Sequence, residues 1–331
     1  MAGIKLDRSK LTRILVFLAL AALLTWPLRN VPLLEIWLVV RGLHAWQLGI
    51  LLLLNGLIYV LLSLRWWLVV RAGARKVPFW PLLMVRVAVF GVSYFTLGPQ
   101  VGGEPLQVLA LQRRYGLSYS RATASVLMDK LLEFLVNFLL LAIGLSAILR
   151  AGLLSQGNPS TAPALVLLSL LIAWPPVHII LMYFGRLPLS ILFARMPFLP
   201  KRSGFVRFIR ASEWMASRFC RRHLRALLAA LLVSLLAGCG MLLEYGLVLN
   251  FLAINLPFWT VVAGWTAGWL SFLVPLPGGL GALEASQVFV LGAFGIPVAQ
   301  AIGVTLLVRA RDLLVGGFGL LLAGNGFSRV K

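Results

Sequence analysis

Acidic residues, cysteine and histidine are scarce in this chain of 331 residues. Nine Asp and Glu stand against thirty Lys and Arg, which gives a formal net charge of +21. The two cysteines, Cys220 and Cys239, fall in or beside one helical region, so we expect reduced thiols rather than a disulfide. The three histidines, His44, His178 and His223, are far apart and lack the H-x-x-x-H spacing of zinc ligands. The sequence therefore predicts no metal site.

Common nucleotide-binding and hydrolase motifs are also missing. The sequence contains no Walker loop, no Rossmann glycine fingerprint and no G-x-S-x-G nucleophile elbow. We therefore assign no catalytic residue and expect neither a cofactor nor an ATP-driven pump. Between the apolar runs there is no nucleic-acid-binding module, so the basic charge does not predict nucleic acid as a partner.

Long apolar runs are abundant instead. The chain is 61% hydrophobic, its mean hydropathy is +0.97, and several runs exceed the roughly 18 residues that mark a spanning helix. These features predict an all-α polytopic membrane protein, with one membrane domain over residues 1–331. We expect about eight transmembrane helices, at about 14–28, 47–70, 80–97, 119–149, 164–184, 224–253, 258–274 and 298–323. Two shorter helices, 104–115 and 283–294, are predicted to be re-entrant or broken.

The basic residues crowd the loops and the helix ends. An excess of Lys and Arg marks cytoplasmic segments, so both termini and the linker 186–225 are predicted to face the cytoplasm across the cytoplasmic (inner) membrane. Arg65 and Arg71 are interpreted as marking the cytoplasmic end of the second helix. In the linker, apolar residues such as Phe205 and Phe219 recur at helical spacing opposite the arginines. This pattern indicates an amphipathic helix that either lies on the inner leaflet or packs against the protein.

Most of the acidic residues lie where charge is costly. Six of the nine are within or beside apolar segments: Glu104, Asp129, Glu133, Glu244, Glu284 and Asp312. A charge in a membrane segment costs at least ~2.5 kcal/mol on insertion scales, so it is interpreted as functional. The other three, Asp7, Glu35 and Glu213, are interpreted as ordinary solvated charges.

Two stretches, 97–137 and 273–312, have similar sequences. Each contains a Pro/Gly-Gly turn, a short segment with a glutamate, and a long helix with a cation three residues before an acid. One constant offset along the chain pairs Gly116 with Gly295, Ala122 with Ala301, Leu127 with Leu306, Lys130 with Arg309 and Glu133 with Asp312. We therefore predict an internal repeat, with unit A at about 80–149 and unit B at about 258–323.

The predicted orientation makes this repeat inverted. With the linker inside and residues 150–163 outside, helix 119–149 runs outward and helix 298–323 runs inward. Antiparallel units with broken helices are typical of secondary transporters.

The helix breaks and the charges beside them form the candidate site. A broken helix directs the free N–H groups of its first turn into a cavity, and glycines let an anionic headgroup approach the backbone. Lys130, Arg309 and Arg311 would supply countercharge. The predicted substrate-binding residues are Gly102, Gly103, Glu104, Asp129, Lys130, Glu133, Gly278, Gly279, Glu284, Arg309, Arg311 and Asp312.

A structural role for these residues stays open. Lys130–Glu133 and Arg309–Asp312 have the spacing of intrahelical ion pairs that neutralise each other. Glu104 and Glu284 have the position of acids that stabilise a helix start.

The same segments carry a family resemblance. The strings G-G-E-P-L-Q-V-L-A-L-Q-R-R-Y-G-L-S-Y-S-R-A-T-A-S-V-L-M-D-K, P-L-P-G-G-L-G-A-L-E and L-L-V-R-A-R-D resemble the lysylphosphatidylglycerol synthase transmembrane-region family, also called flippase-like domain proteins. The resemblance covers roughly residues 12–324. It implies an inner-membrane protein that moves, or helps to modify, anionic or polyprenyl-linked lipids. The soluble aminoacyl-transfer domain of the full synthases has no counterpart in this sequence, so lysine transfer is not expected.

Three functions remain open on this basis. The first is a flippase-like protein that passes a lipid headgroup between the repeats. The second is an intramembrane headgroup or glycosyl transferase, in which Asp129 and Glu133 would act as acid and base. The third is a scaffold for a lipid-synthesis enzyme, with the linker 186–225 as its docking surface.

Overall fold

The computed structural model describes residues 34, 37–38, 41–73, 77–96, 102–150, 161–196, 203–274 and 276–327. Within these ranges the chain forms eleven α-helices and one short 3-10 turn, with no strand. This confirms the all-α prediction. The predicted first helix, 14–28, lies outside the described residues.

The helices follow one another through short connections. They are α1 (Ala45–Gly73), α2 (Phe79–Phe95), α3 (Glu104–Tyr115), α4 (Tyr119–Arg150), α5 (Thr161–Tyr183), α6 (Pro188–Arg195), α7 (Gly204–Arg222), α8 (Leu224–Phe251), α9 (Phe258–Ser271), α10 (Ala282–Ala293) and α11 (Val298–Phe327). The 3-10 turn, Pro277–Gly279, precedes α10.

Three helices are long and apolar enough to cross a membrane: α1, the Val166–Tyr183 part of α5, and α8. They support a membrane protein. Helices α2 and α9 have 17 and 14 residues, fewer than the roughly 20 of a full crossing. Helices α4 and α11 have 32 and 30 residues but carry buried charges. The number of eight crossings therefore stays a prediction.

The order of helix lengths in α1–α4 resembles that in α8–α11. In the first set the four helices have 29, 17, 12 and 32 residues. In the second set they have 28, 14, 12 and 30 residues. The second helix of each set begins with Pro-Phe-Trp, at positions 78–80 and 257–259, which are related by the same offset as the repeat. In both copies the proline is the N-cap, and the phenylalanine and tryptophan rings meet edge to face.

Helices α1 and α8 pack antiparallel through several contacts along their length. Near the start of α1, Trp46 meets Phe251 with ring centroids 5.5 Å apart. Further along, the amide of Asn55 donates to Glu244 at 3.1 Å. Because the partner number falls as the residue number rises, the two helices run in opposite directions.

The pairs α2 with α11 and α4 with α9 also pack closely. A Cβ built on Gly91 of α2 would lie 2.5 Å from the carbonyl oxygen of Gly316 and 2.8 Å from the carbonyl carbon of Gly319. Phe138 of α4 meets Trp269 of α9 at 5.4 Å, and Thr266 donates to the carbonyl of Leu140 at 3.4 Å. Small residues let two backbones approach this closely in a membrane protein.

Helix α7 packs its less polar face against the protein. Phe219 and Cys220 are buried against α4, and the hydroxyl of Ser217 donates to the carbonyl of Met182 in α5 at 2.6 Å. The arginines of α7 lie on the exposed side. Of the two interpretations of the linker, the packed one fits this arrangement.

Glu213 is buried, and its interpretation as a solvated charge was wrong. The residue is 1% exposed and accepts hydrogen bonds from the backbone of Leu189 and Ser190 at 2.8 Å each. It therefore caps the start of α6, where the helix dipole favours a negative charge. Burial opposes ionisation, but the proximity of His178 and the bonds from Ser190 and Leu189 hold the pKa of this carboxyl below its usual range.

Candidate functional site

Two carboxylates of α4 lie between arginines of α1 and α2. Arg65 of α1 donates from Nε to Asp129 Oδ1 at 2.6 Å and from Nη2 to Glu133 Oε2 at 2.8 Å. Arg86 of α2 donates to the same two carboxylates, at 2.5 and 3.2 Å. We call Arg65, Arg86, Asp129 and Glu133 the first charged cluster.

The first cluster is enclosed by the protein. Arg65 is 1% exposed and Asp129 is fully buried. Each carboxylate accepts from two guanidinium groups, which compensates the desolvation that an unpaired buried charge would suffer. The cluster joins three helices at one point and fixes their register.

Arg65 does not mark the end of its helix. Helix α1 continues from Arg65 to Gly73, and the side chain turns into the protein rather than toward the membrane surface. The sequence could not distinguish the two cases. A basic residue about two turns from a helix end occupies the same sequence position whether its side chain extends to the membrane surface or points into the protein.

Lys130 links the first cluster to the start of α3. Its ammonium lies 3.2 Å from Glu133 Oε1 and 3.4 Å from Glu104 Oε1. The other oxygen of Glu104 accepts the backbone N–H of Gly102 at 3.0 Å. Gly102 has φ of 114°, a conformation that favours glycine. We call Glu104 and Lys130 the amino-terminal pair.

A similar arrangement occurs at the start of α10. Arg309 of α11 donates from Nε to Glu284 Oε1 at 2.5 Å and from Nη2 to Glu284 Oε2 at 2.8 Å. Glu284 Oε2 accepts the backbone N–H of Gly281 at 2.9 Å. We call Glu284 and Arg309 the carboxyl-terminal pair. In both pairs a glutamate holds a glycine N–H before a short helix and meets a cation of the following long helix.

Arg309 also holds the turn before α10. Its Nη1 and Nη2 donate to the carbonyl oxygens of Gly278 and Gly279 at 3.1 and 3.4 Å. Both glycines have positive φ, 57° and 61°. They form the 3-10 turn, and α10 begins only after the N-cap Gly281. The predicted turn at Gly278–Gly279 is therefore present, and α10 begins one residue before the predicted start at 283.

Arg311 and Asp312 form a second charged cluster with Glu244 of α8. Arg311 donates to Glu244 at 2.7 Å and to Asp312 at 2.7 and 2.9 Å. Asn55 of α1 donates to the other oxygen of Glu244. The expected Arg309–Asp312 ion pair does not form, because each arginine has a different partner. The expected Lys130–Glu133 pair is present.

Sequence reasoning left Arg65, Arg86, Asn55 and Glu244 out of the site. A usable signal existed, since the offset of the repeat also relates Arg65 to Glu244. These equivalent positions of α1 and α8 carry opposite charges, and each meets a charge of the opposite sign on the fourth helix of its set.

Gln107 and Gln287 were also missed. They lie three residues after Glu104 and Glu284, and both are buried. Gln287 accepts from the Tyr245 hydroxyl at 2.6 Å and donates to the carbonyl of Gly264 at 2.9 Å. The shared E-x-x-Q-V spacing would have identified them.

A cavity of about 140 Å³ adjoins the second cluster. Its lining includes Glu244, Arg311, Thr305, Gln287 and Trp269. Charged and amide groups therefore share this space with aromatic rings. Such a mixture can hold a polar group attached to an apolar chain.

Among the described residues, no group of three His, Cys, Asp or Glu side chains is placed to hold a metal ion. The carboxylates of the site are occupied by arginine, lysine, asparagine and backbone N–H groups instead.

Comparison with known proteins gives a family match. Residues 11–319 match the family described as the lysylphosphatidylglycerol synthase TM region. No curated protein matches the chain at a significant level. No solved structure does so either.

Proposed function

The chain belongs to the lysylphosphatidylglycerol synthase TM region family, and from this membership and the paired sites we propose that it is a flippase-like protein. It would translocate or handle an anionic or polyprenyl-linked lipid across the cytoplasmic membrane. Both termini would face the cytoplasm. Family membership places the protein among membrane domains of lipid-related proteins, and the specific activity rests on the site.

The observation that carries the proposal is the duplicated glutamate–cation pair. Glu104–Lys130 and Glu284–Arg309 recur at nearly the same offset in the sequence, each beside a glycine turn that interrupts the helical backbone. Interrupted helices and charges at equivalent places in two halves are the usual construction of a transporter site. A structural scaffold would need neither the breaks nor their duplication.

The directions of the helices support an inverted repeat. Helices α1 and α8 occupy equivalent positions in the two sets and pack antiparallel. Two equivalent helices related by an axis along the membrane normal would run parallel instead. A two-fold axis in the membrane plane therefore accounts for the arrangement, in which α1 and α8 extend the predicted units, about 80–149 and 258–323, by one helix each.

Arg309 is 1% exposed and Glu284 is the more exposed member of the pair, so a lipid phosphate would reach Arg309 by replacing Glu284. The planar fork of Arg309 is engaged by a carboxylate, and phosphate oxygens match the same fork. A phosphate could take the place of Glu284 without unpairing Arg309, while Glu284 retains the N–H of Gly281. Exchange of one anionic partner for another avoids leaving a buried cation unpaired.

A transferase mechanism has less support. It would need Asp129 or Glu133 to exchange a proton, but both are held by Arg65 and Arg86. These pairs favour two ionised carboxylates over an acid and a base with different proton affinities. We therefore propose a transporter rather than an enzyme.

Lipid identified by mass spectrometry in gently purified protein tests the proposal. We expect a phosphate-bearing lipid to be enriched over the surrounding membrane, and the enrichment to fall in Glu284→Leu/Arg309→Met. Arg210→Met, a change on the exposed side of α7, is the control. Turnover of the lipid headgroup by the purified protein would favour the transferase. If the lipid that co-purifies with the wild type and with the variants had the same composition as the membrane, the proposal would be contradicted.

A further inference from the structure

A wide basic groove lies where α1 ends and α7 meets α8. Its volume is about 850 Å³. The charged side chains that line it are Arg71 from α1, Arg221 and Arg222 from α7, and Arg225 from α8. His223, between α7 and α8, also lines it. All five residues are exposed.

Among the residues that the structure describes, no carboxylate forms a salt bridge with these four arginines. Each carboxylate that does form one pairs with a different lysine, arginine or histidine. The guanidinium of Arg71 lies over the Trp67 ring, 4.6 Å from its centroid, which orients it beside the groove. Four like charges around one open space attract an anion from outside the protein.

Two helix ends meet at the groove. Helix α7 ends at Arg222 and α8 begins at Leu224, with His223 as the cap residue of both. The negative end of α7 therefore lies beside the positive end of α8, and the two oppose each other. The positive field of the groove comes from the arginine side chains.

A second pocket adjoins the groove. It has about 270 Å³ and shares Ala72 and His223 with the groove lining. Its walls combine apolar side chains such as Val69, Met128 and Phe219 with the basic residues Arg121 and Arg218. Basic and apolar surfaces side by side match a ligand with an anionic head and a hydrocarbon chain.

The groove also lies at a membrane boundary. Helices α1 and α8 are two of the three described helices that are long and apolar enough to cross a bilayer, and the end of α1 meets the start of α8 here. Trp67 has the position of an interfacial tryptophan. The groove is therefore within reach of the headgroups of one leaflet.

We propose that this groove binds the phosphate of an anionic membrane phospholipid, with part of its acyl chain against the apolar walls of the adjoining pocket. The site uses none of the residues of the two charged clusters or the two glutamate–cation pairs. It goes beyond the proposed transport function, because a bound lipid here would dock at the surface and hold the α1, α7 and α8 junction together.

Binding of a fluorescent phosphatidylglycerol to the full-length protein in neutral-lipid nanodiscs tests the proposal. The variant Arg221→Gln/Arg222→Gln/Arg225→Gln removes three charges from the groove. The variant Arg195→Gln/Arg207→Gln/Arg210→Gln removes three charges from exposed positions outside it. We expect the groove variant to lose about tenfold or more in affinity and the control to lose about twofold or less, since basic residues act on anionic lipid at short range. Equal losses would overturn the proposal, because they would indicate a general charge effect.

Two further arms complete the test. Lysine at the same three groove positions keeps the charge, so it should recover part of the affinity, and failure to do so in a well-folded protein would contradict an electrostatic site. Inorganic phosphate alone should compete only weakly. If phosphate displaced the lipid at a comparable concentration, the groove would be a site for a soluble anion, and the lipid proposal would be wrong.

Discussion

Replacing Arg65 by methionine is the sharpest test of the first charged cluster. The change keeps an unbranched, flexible side chain but removes the guanidinium that donates to Asp129 and Glu133. Both carboxylates keep Arg86, and Glu133 keeps Lys130. The variant therefore leaves excess negative charge in a buried site rather than two carboxylates without partners.

The expected loss follows from this partial compensation. Breaking one partner of a buried ion pair costs ~3–5 kcal/mol. Because Arg86 still serves both acids, we expect the lower end, about 3 kcal/mol of unfolding free energy. Arg210→Met makes the same chemical change at an exposed position of α7 and should stay within about 0.5 kcal/mol of the wild type.

A second change should restore the balance of charge. Asp129→Asn combined with Arg65→Met removes one charge of each sign, while the amide oxygen still accepts from Arg86. We expect the double variant to recover at least half of the lost stability. Denaturant unfolding in detergent, followed by circular dichroism, gives the four free energies that are compared. A single variant that loses less than about 1 kcal/mol, or a double variant less stable than the single one, would refute the reasoning.

Three further predictions concern packing, pH and topology. Gly319→Ala should reduce stability and folded yield, since the new methyl group would meet the α2 backbone, whereas Gly317→Ala, with open space around it, should not; thermal unfolding of both tests this. The pKa of Glu213 is lower in the folded protein than in an unfolded chain. The ionised carboxylate should therefore stabilise the fold fully above about pH 4.3, the ordinary pKa of a glutamate. This contribution should be lost as the pH falls through the pKa of the folded protein. Glu213→Gln should flatten this dependence in unfolding measured from about pH 3 to about pH 7, and an unchanged profile would contradict it. Single cysteines at Ser203 and Gly326, in a background without the native cysteines, should be labelled from the same side of the membrane; opposite sides would rule out the inverted repeat.

The helices themselves could be predicted from the sequence because apolar runs and breaks are local signals. The predicted short helix 104–115 and the structure's α3 have the same bounds, and α10 differs from 283–294 by one residue at each end. Glycine and proline mark these ends without any knowledge of packing. The family resemblance was confirmed over residues 11–319.

The pairing of charges could not be predicted in the same way. Spacing along α11 suggested Arg309 with Asp312, but Glu284 and the turn carbonyls take the arginine from outside the helix. Local spacing shows which charges can meet within one helix. It does not show how neighbouring helices are placed against it. The same limit applied to Glu213, whose partners at the start of α6 are Leu189 and Ser190, far from it in sequence.

The Pro-Phe-Trp copies show what a longer comparison would have added. They share the offset that pairs Lys130 with Arg309, and they extend the repeat upstream of the glycine turns. The same offset relates α1 to α8, so Arg65 and Glu244 occupy equivalent positions in the repeat. Opposite charges at equivalent positions hide such a relation from a search for identities.

Translocation of a headgroup-labelled anionic phospholipid in reconstituted vesicles tests the central claim most directly. We predict that the wild-type protein speeds translocation several-fold over protein-free vesicles. Glu284→Leu/Arg309→Met removes both members of the carboxyl-terminal pair, so it should fold at normal abundance yet lose this activity. Arg309→Lys should also be impaired, because an ammonium group cannot reproduce the planar fork. A folded double variant with the full wild-type rate would contradict the account.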